Sequence, residues 1–501
     1  MMLLTSSWSL DASLFILTLL FVLHKYISRN YDHWRKKGVV YITPKPFIGN
    51  LFDVVSFRTT IAHWQQKIYN STDQPYVGVF AFHKPVLTLR SPQLIKQVLV
   101  KHFDNFMNRT VLNPDHNQVV ANALFFAKDE NWKLVRSKMT PAFTSGKLKA
   151  MFSTVNAVGH ETIEYIKKSK GQLEVKELSS KYTTEIIART AFGINAHCFD
   201  KEDCDFRKIA GLLFVFDWKT AIGQTAYFYM HSLANLLRLE FVDNRSVEFL
   251  RKVFWQTIKY REKQHVKGND LIDIIIELRR NDEFREKISF ESDKVVAQPF
   301  MFFAAAVDTT SHLIAFTLYE LCLHPLIQEK LREEILNHLK ENKEIDFDSL
   351  KDMKYLEMCI LESLRKYPAV PFLDRICKED FTIPGTDTVI DKGTLVYIPL
   401  LGLHYDEKYF PDPHKYKPER FADSSVYNKD GLYYLPFGEG PRMCLGERFA
   451  MMNTKVALIN ILSQFLIEPV PATPVPLKYT PKYFTLKSKD DLLMKFVAIS
   501  K

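Results

Sequence analysis

The chain has 501 residues, 47% hydrophobic, 13% aromatic and 25% charged, which suffices for a large core and excludes a disordered or low-complexity protein. Its 67 Lys and Arg against 58 Asp and Glu give a net charge of +9, with no dense basic run beyond Arg35, Lys36 and Lys37, so nucleic acid is not an expected partner. The six cysteines (Cys198, Cys204, Cys322, Cys359, Cys377, Cys444) form no C-x-x-C pair and show no metal-ligand spacing, which excludes a disulfide scaffold or structural zinc site.

The first element is an apolar run, LFILTLLFVL at 14–23, with Asp11 before it and His24, Lys25, Arg29, Arg35, Lys36 and Lys37 after it. A cleaved signal would carry its positive charges first and small residues afterwards. The observed order predicts a retained membrane anchor over residues 1–27, its basic flank on the cytoplasmic side. A helix lying in the interface stays open as an alternative, because a span needs ~20 apolar residues and Asp11 interrupts this one. Residues 28–50, with Pro44, Pro46 and Gly49, read as a basic flank and stiff hinge. Residues 51–501 show no repeat or Gly/Ser linker and read as one domain.

Short β-type runs at 76–82 and 85–89 precede a mostly helical stretch, with helical periodicity at 161–166, 182–191, 271–278 and 295–323. Trp132 and Arg136 stand one turn apart, followed by Pro141 and Phe143. Aromatics crowd 214–229 (Phe214, Phe216, Trp218, Tyr227, Phe228, Tyr229), as a mobile roof that dips into lipid or as plain core. At 302–311, FFAAAVDTTS puts a small-residue patch, an acid and a threonine on one long helix. Ordinary packing would give the same stripe, with Thr309 bonded back to a carbonyl. Pro299, just ahead, predicts a kink or a late helix start. Glu362-x-x-Arg365 shares one helical face, in apolar surroundings that Glu329-x-x-Arg332 lacks. After Pro368 come short strands and turns carrying Arg375 and Pro418-Glu419-Arg420-Phe421, then a helix near 448–465 and a β-rich tail. The expected fold is mainly α with minor β-sheets.

Chemistry is densest at 437–446, FGEGPRMCLG, directly before that last helix. Its two glycines and proline build a tight turn whose N–H groups can point at the cysteine sulfur, and the helix adds its positive end; both favour a thiolate. The other five cysteines read as core. The string F-x-x-G-x-R-x-C-x-G resembles the haem-thiolate signature of the cytochrome P-450 family, and the resemblance runs from about Tyr31 to the C-terminus.

That resemblance implies the P-450 fold, with haem b between a long distal helix and the cysteine loop, and Cys444 as the axial iron ligand. It implies Phe437, Gly438, Arg442 and Gly446 around the ligand and Ala305 against the opposite face. Trp132, Arg136, Arg375 and Arg442 would face the haem propionates, since guanidinium forks suit paired carboxylates. Glu362, Arg365 and Arg420 would form a buried network, Asp308 and Thr309 would relay protons, and Phe302, Val370, Phe372 and Phe484 would line an apolar substrate site. Where this chain has Ala306 the family commonly has Gly, which makes the local helix opening smaller.

The function implied is a membrane-bound monooxygenase inserting one atom of O2 into hydrophobic small molecules, with electrons from NADPH through a cytochrome P-450 reductase and with cytochrome b5 as a second donor. The anchor, its basic flank, 136–149 (RSKMTPAFTSGKLK) and FGEGPR resemble insect microsomal members that handle toxins and drugs, which implies an endoplasmic reticulum membrane with the catalytic domain on the cytoplasmic face. A mitochondrial member would start with an amphipathic Arg- and Ser-rich signal. The alternatives are a hormone or fatty-acid hydroxylase of the same family, a haem-thiolate isomerase or dehydratase that needs no O2, and a haem-dependent ligand sequestrant or sensor.

Overall fold

The computed structural model describes residues 7–169, 171–201, 204–213, 218–268, 270–279, 294–342, 344–423 and 431–499. In chain order, the helices that matter for the site are α1 (Trp8–Ser28), α2 (Ile61–Tyr69), α3 (Asp129–Met139), α4 (Ser145–Lys168), α5 (Val175–Phe192), α6 (Asp205–Leu213), α7 (Trp218–Tyr229), α8 (Asn244–Gln264), α9 (Ala297–Leu323), α10 (Pro325–Asn342), α11 (Lys354–Lys366), α12 (Leu400–His404) and α13 (Glu447–Gln464). The strands are β1 (Tyr76–Ala81), β2 (Lys84–Leu89), β3 (Gln172–Glu174), β4 (Phe372–Ile376), β5 (Phe381–Thr382), β6 (Val389–Ile390), β7 (Leu395–Pro399), β8 (Phe465–Pro469) and β9 (Leu493–Ala498). Helix dominates, as the sequence predicts.

One sheet runs β1-β2-β7-β4, its β2/β7 pair parallel and its other pairs antiparallel. The β4/β7 register sets Asp374 opposite Tyr397 and Arg375 opposite Val396, so the long excursion after α11 returns these charged residues to the interior. A second sheet, β3-β9-β8, ties the tail to the start of α5, and β5/β6 is a short hairpin.

The centre of the molecule is α9. Every residue from Thr310 to Cys322 is buried, so this helix is apolar enough to cross a membrane yet lies inside the body, packed on α5 and α13. Pro299 falls in its first turn, where the missing N–H has no intrahelical partner anyway. Of the two outcomes expected for Pro299, the late start is the one adopted. Helix α5 is fixed at both ends, by the Glu174 carboxylate accepting the Lys176 and Glu177 N–H groups (3.0 and 2.5 Å) and by Gly193 at φ +66°.

The stretch 28–50 is docked on the body: Trp34 is fully buried, its Nε1 donates to the Val79 carbonyl (3.0 Å), and Tyr41 bridges Gly78, where a Cβ would stand 2.4 Å from the indole. The chain joins the body at Trp34 because β1 leaves a glycine-sized slot for that ring. In the aromatic segment Tyr227, Phe228 and Tyr229 are buried and belong to the core, not to a lipid-dipping roof. Phe214 and Phe216 lie outside the described residues, as does the side chain of Trp218.

Helix α1 has no buried residue. Its 21 residues reach about 31 Å at 1.5 Å per residue, the thickness of a bilayer core. Phe15, Leu17 and Phe21 are all more than 60% exposed, and the ring contacts of α1 with the body, His24 on Phe47 (5.2 Å) and Tyr26 on His83 (6.3 Å), lie near its C-terminal end.

Candidate active site

The cysteine loop is shaped by its glycines. Gly438 and Gly440 have φ of +76° and +75°, and a Cβ at Gly440 would stand 2.1 Å from the Leu99 carbonyl oxygen, so a larger residue would lift the loop off that turn. Within it, the Cys444 N–H bonds the Phe437 carbonyl (2.8 Å) and the Met443 N–H bonds Gly440 (2.9 Å). Gly446 caps α13 and turns its N–H toward the sulfur. Alone among the six cysteines, Cys444 is accessible. The protein packed around the loop pushes the thiol up to about 11, and the Gly446 N–H and the Arg136 and Arg109 charges act against that rise. The Gly446 N–H and the two arginines favour the thiolate, in the sense the sequence implies, and a coordinated cation would act in the same direction.

Beside the loop lies a set of buried guanidiniums. Arg375 and Arg442 are almost fully buried, and among the described residues their Nε groups, with that of Arg109, have no hydrogen-bond partner. Arg442 stacks on Trp132 (4.3 Å) and donates to the Ala127 carbonyl (2.8 Å), while Arg109 covers the Phe125 ring (4.4 Å). Burial, and then mutual repulsion among these arginines, lowers Arg375 to about 9 and Arg442 to about 8. Asp374 is their acidic neighbour, 3.9 Å from Arg109 and bonded to the Thr110 N–H (2.5 Å) and hydroxyl (2.7 Å).

Buried, mutually repelling arginines with unpartnered Nε groups beside an accessible cysteine fit a dianionic group with a metal at its centre, and that is the chemistry of haem with its two propionates. Arg136 is arranged differently: its Nη1 donates to the Met443 carbonyl (2.8 Å), so it braces the residue before the cysteine. The sequence did not suggest Arg109 or Asp374.

On α9, Ala305 is exposed between the buried Ala304 and Val307. Thr309 is half-buried and donates its hydroxyl to the Ala305 carbonyl (2.7 Å), which leaves its oxygen free to accept a bond. Asp308 points elsewhere. Its carboxylate takes Lys176 of α5 (2.9 Å) and the Thr485 hydroxyl (3.2 Å), and Lys176 also bonds Ser311 (2.6 Å). Burial would raise Asp308, but the Lys176 ammonium outweighs it and holds the carboxyl at about 2.

The substrate-lining residues divide. Phe372 and Phe484 join Phe125, Phe126, Phe228 and Phe241 in one aromatic box with ring centroids 5.1–6.4 Å apart. Arg109 covers one of its rings, and β4 runs from Phe372 into Asp374 and Arg375, so the box adjoins the guanidinium set. Phe302 stands apart, packed on Phe143 (4.8 Å) and Phe449 (6.3 Å); its ring finds apolar partners there and does not join the box. Val370 is partly exposed just ahead of β4.

Glu362 and Arg365 are fully buried and joined by two bonds (2.8 and 2.9 Å); Arg420 and the Lys417 N–H also reach Glu362 (3.2 and 3.0 Å). Arg365 further donates to the His404 and Pro413 carbonyls (2.7 Å each). His404, another residue the sequence did not suggest, links this network to the cysteine loop, its Nδ1 donating to the Arg365 carbonyl and its Nε2 accepting from the Leu435 N–H, both at 3.1 Å. Burial, then the Arg365 charge, keeps it neutral by lowering it to about 3.

A helical body with an accessible, glycine-shaped cysteine loop against a long central helix is the architecture of a haem-thiolate enzyme. The cytochrome P450 family model matches residues 41–494. The chain is 38% identical to cytochrome P450 6j1 of Blattella germanica over 94% of both chains, and 35% identical to cytochrome P450 6k1 of the same species over 97% of both. It is also 35% identical to the probable cytochrome P450 6g2 of Drosophila melanogaster, over 94% of this chain and 95% of that one. The chain belongs to the cytochrome P450 family and is a monooxygenase of the insect type; the family implies haem, a cysteine thiolate ligand and dioxygen.

Proposed function

We propose that this monooxygenase oxidises apolar small molecules of the toxin and drug kind, held to the endoplasmic reticulum membrane by α1 with its catalytic body on the cytoplasmic face, and fed with NADPH electrons by a flavoprotein reductase. The observation that carries the substrate reading is the aromatic box: six phenylalanines offer area and no hydrogen-bonding handle, so they select by shape and hydrophobicity. The residue roles in this reading are those expected from the sequence with three changes. Cys444 holds the metal and Trp132, Arg375, Arg442 and the added Arg109 face the propionates, while Arg136 braces the loop. Phe302 gives up its lining role to Phe125, Phe126, Phe228 and Phe241. Haem, when bound, supplies the reduction of O2 and the transfer of one oxygen atom, the other leaving as water.

The protein's share is to bind, dry and protonate. The box strips water from the substrate, Ala305 leaves space against α9, and Thr309 holds a water at its free oxygen. Asp308 is an anion at neutral pH and accepts a proton only after its contact with Lys176 loosens. The direct test is turnover with reconstituted reductase under isotopically labelled dioxygen, comparing apolar drug-like compounds with steroids and fatty acids. Label in products of the first group supports the reading; label confined to steroid or fatty-acid products transfers it to the hormone or fatty-acid alternative. Product formed without oxygen or NADPH indicates an isomerase, and binding without product indicates a sequestrant.

Thr309→Ala is expected to keep haem and the substrate-induced spectral shift but to release reduced oxygen as hydrogen peroxide. A positioned proton donor is worth ~100- to 10,000-fold on the step it serves, so product per NADPH oxidised falls while NADPH consumption continues. An unchanged ratio means that Thr309 is packing alone.

Deleting residues 1–27 is expected to release only part of the protein from membranes. The residual contact is not the buried Tyr227–Tyr229 segment but Ile222, Leu236 and Leu237, which are 54%, 79% and 57% exposed. Leu236→Asp in the truncated chain should lower the bound fraction further in a vesicle flotation assay, and complete release of the truncated chain at low salt excludes this second contact.

A further inference from the structure

Two of the buried cysteines meet far from the cysteine loop. Cys198, in the turn after α5, and Cys204, immediately before the first residue of α6, hold their sulfurs 2.9 Å apart, and the Cys204 sulfur also lies 3.2 Å from the Ala196 carbonyl. The turn that presents them is pinned from below. Fully buried Glu185 accepts the Cys198 N–H (2.9 Å) and the Ala196 N–H (3.1 Å), and is itself fixed by Arg189 (2.7 Å). Both cysteines are at most 4% exposed, but Asp200, Lys201 and Asp205 around them are exposed, so the sulfurs lie just beneath the surface.

The two sulfurs are not equivalent. Cys204 sits at the N-terminal end of α6, where the Phe206 and Arg207 N–H groups turn toward it. The hydrogen bond from Cys198, together with those N–H groups, holds Cys204 down at about 7 against burial. The same shared bond, burial and the Glu185 carboxylate push Cys198 up. Cys204 is therefore the sulfur that its surroundings favour as the nucleophile, with Cys198 as a resolving thiol already in reach.

We propose that Cys198 and Cys204 form a reversible dithiol–disulfide site, oxidised by hydrogen peroxide such as uncoupled monooxygenase turnover releases. The Cys204 thiolate attacks one peroxide oxygen, the O–O bond breaks, and hydroxide leaves and is protonated to water, giving a sulfenic acid. The Cys198 sulfur then attacks the Cys204 sulfur; the S–O bond breaks, the S–S bond forms, and the Cys198 proton departs with the hydroxide as a second water. Two thiols are oxidised by two electrons and one peroxide is reduced to two waters. The bridge ties the end of α5 to the start of α6, whose Phe206 rests on Phe303 of α9 (5.9 Å).

The experiment treats the full-length, haem-loaded protein with hydrogen peroxide, blocks free thiols with iodoacetamide and digests with trypsin without reduction. Cleavage after Arg189, Lys201 and Arg207 separates the two cysteines, so the bridge appears in the mass spectrum as peptide 190–201 linked to peptide 202–207. The expected result is that this pair becomes the dominant form, disappears on dithiothreitol treatment, and forms while Cys322, Cys359 and Cys377 stay alkylatable. Cys204→Ser should abolish the link, and Cys198→Ser should leave a Cys204 sulfenic acid that dimedone traps. Both peptides recovered alkylated and unlinked after peroxide, or Cys198 and Cys204 linked to other cysteines instead, would overturn the proposal.

Discussion

Replacing Cys444 by histidine is expected to leave haem bound and to abolish oxygenation. Binding survives because much of the site is elsewhere: Arg109, Arg375 and Arg442 keep their unpaired Nε groups, and Trp132 keeps its stack on Arg442. Imidazole is also a good iron ligand, and the loop that presents it is set by Gly438 and Gly440, which the substitution does not touch. What is lost is the electron density that a thiolate pushes onto iron to favour O–O cleavage. The checks are haem content, the ferrous carbon monoxide spectrum, which should lose its red-shifted band, and product yield, which should fall to background. A variant that keeps the red-shifted band and its product would place the thiolate ligand at another cysteine.

The cysteine loop was legible in the sequence because its chemistry is local: two glycines, a proline, an arginine and the cysteine within ten residues dictate one turn. Residues assembled from distant segments were not. Arg109 reaches the guanidinium set from a loop without periodicity, Asp374 enters it through the β4/β7 register, and His404 joins Arg365, 39 residues before it, to Leu435, 31 residues after it. No pattern along the chain announces any of them. The aromatic box shows the same limit: Phe372 and Phe484 were foreseeable, but Phe125, Phe126 and Phe241 come from segments whose approach only the fold decides.

Spacing without surroundings is equally mute. Glu329-x-x-Arg332 and Glu362-x-x-Arg365 are identical as patterns, yet in α10 Glu329 is exposed and Arg332 donates to the Leu462 carbonyl (3.0 Å), whereas in α11 both partners are fully buried and bonded twice. The apolar residues around the second pair carried the distinction. The late start at Pro299 and the docking of Trp34 on Gly78 are matters of local fit, and only the packed structure shows which alternative the chain takes.

Replacing Glu362 by glutamine is the substitution expected to damage the fold most for the smallest change in shape. Glu362 is fully buried and accepts bonds from Arg365, Arg420 and the Lys417 N–H. Burial works against the Arg365 charge and the Glu362 carboxylate outweighs it, so the guanidinium is stabilised only while that anion is present. Glutamine keeps the volume and one acceptor oxygen but removes the charge and turns an NH2 group toward a guanidinium. Removing one member of a buried ion pair costs ~3–5 kcal/mol, because the remaining charge has neither water nor a counter-ion; that is a large share of the stability of a folded domain. The damage should spread along the bonds that Arg365 makes to the His404 and Pro413 carbonyls, and from His404 to Leu435, two residues before Phe437. Glu362→Gln is therefore expected to lower the unfolding temperature and the fraction of chains that hold haem, whereas Glu329→Gln in α10 should change neither. Haem content per chain and thermal unfolding, measured side by side for the two variants, decide it: equal values would mean that the 362–365–420 network is dispensable and that the cysteine loop is positioned without it.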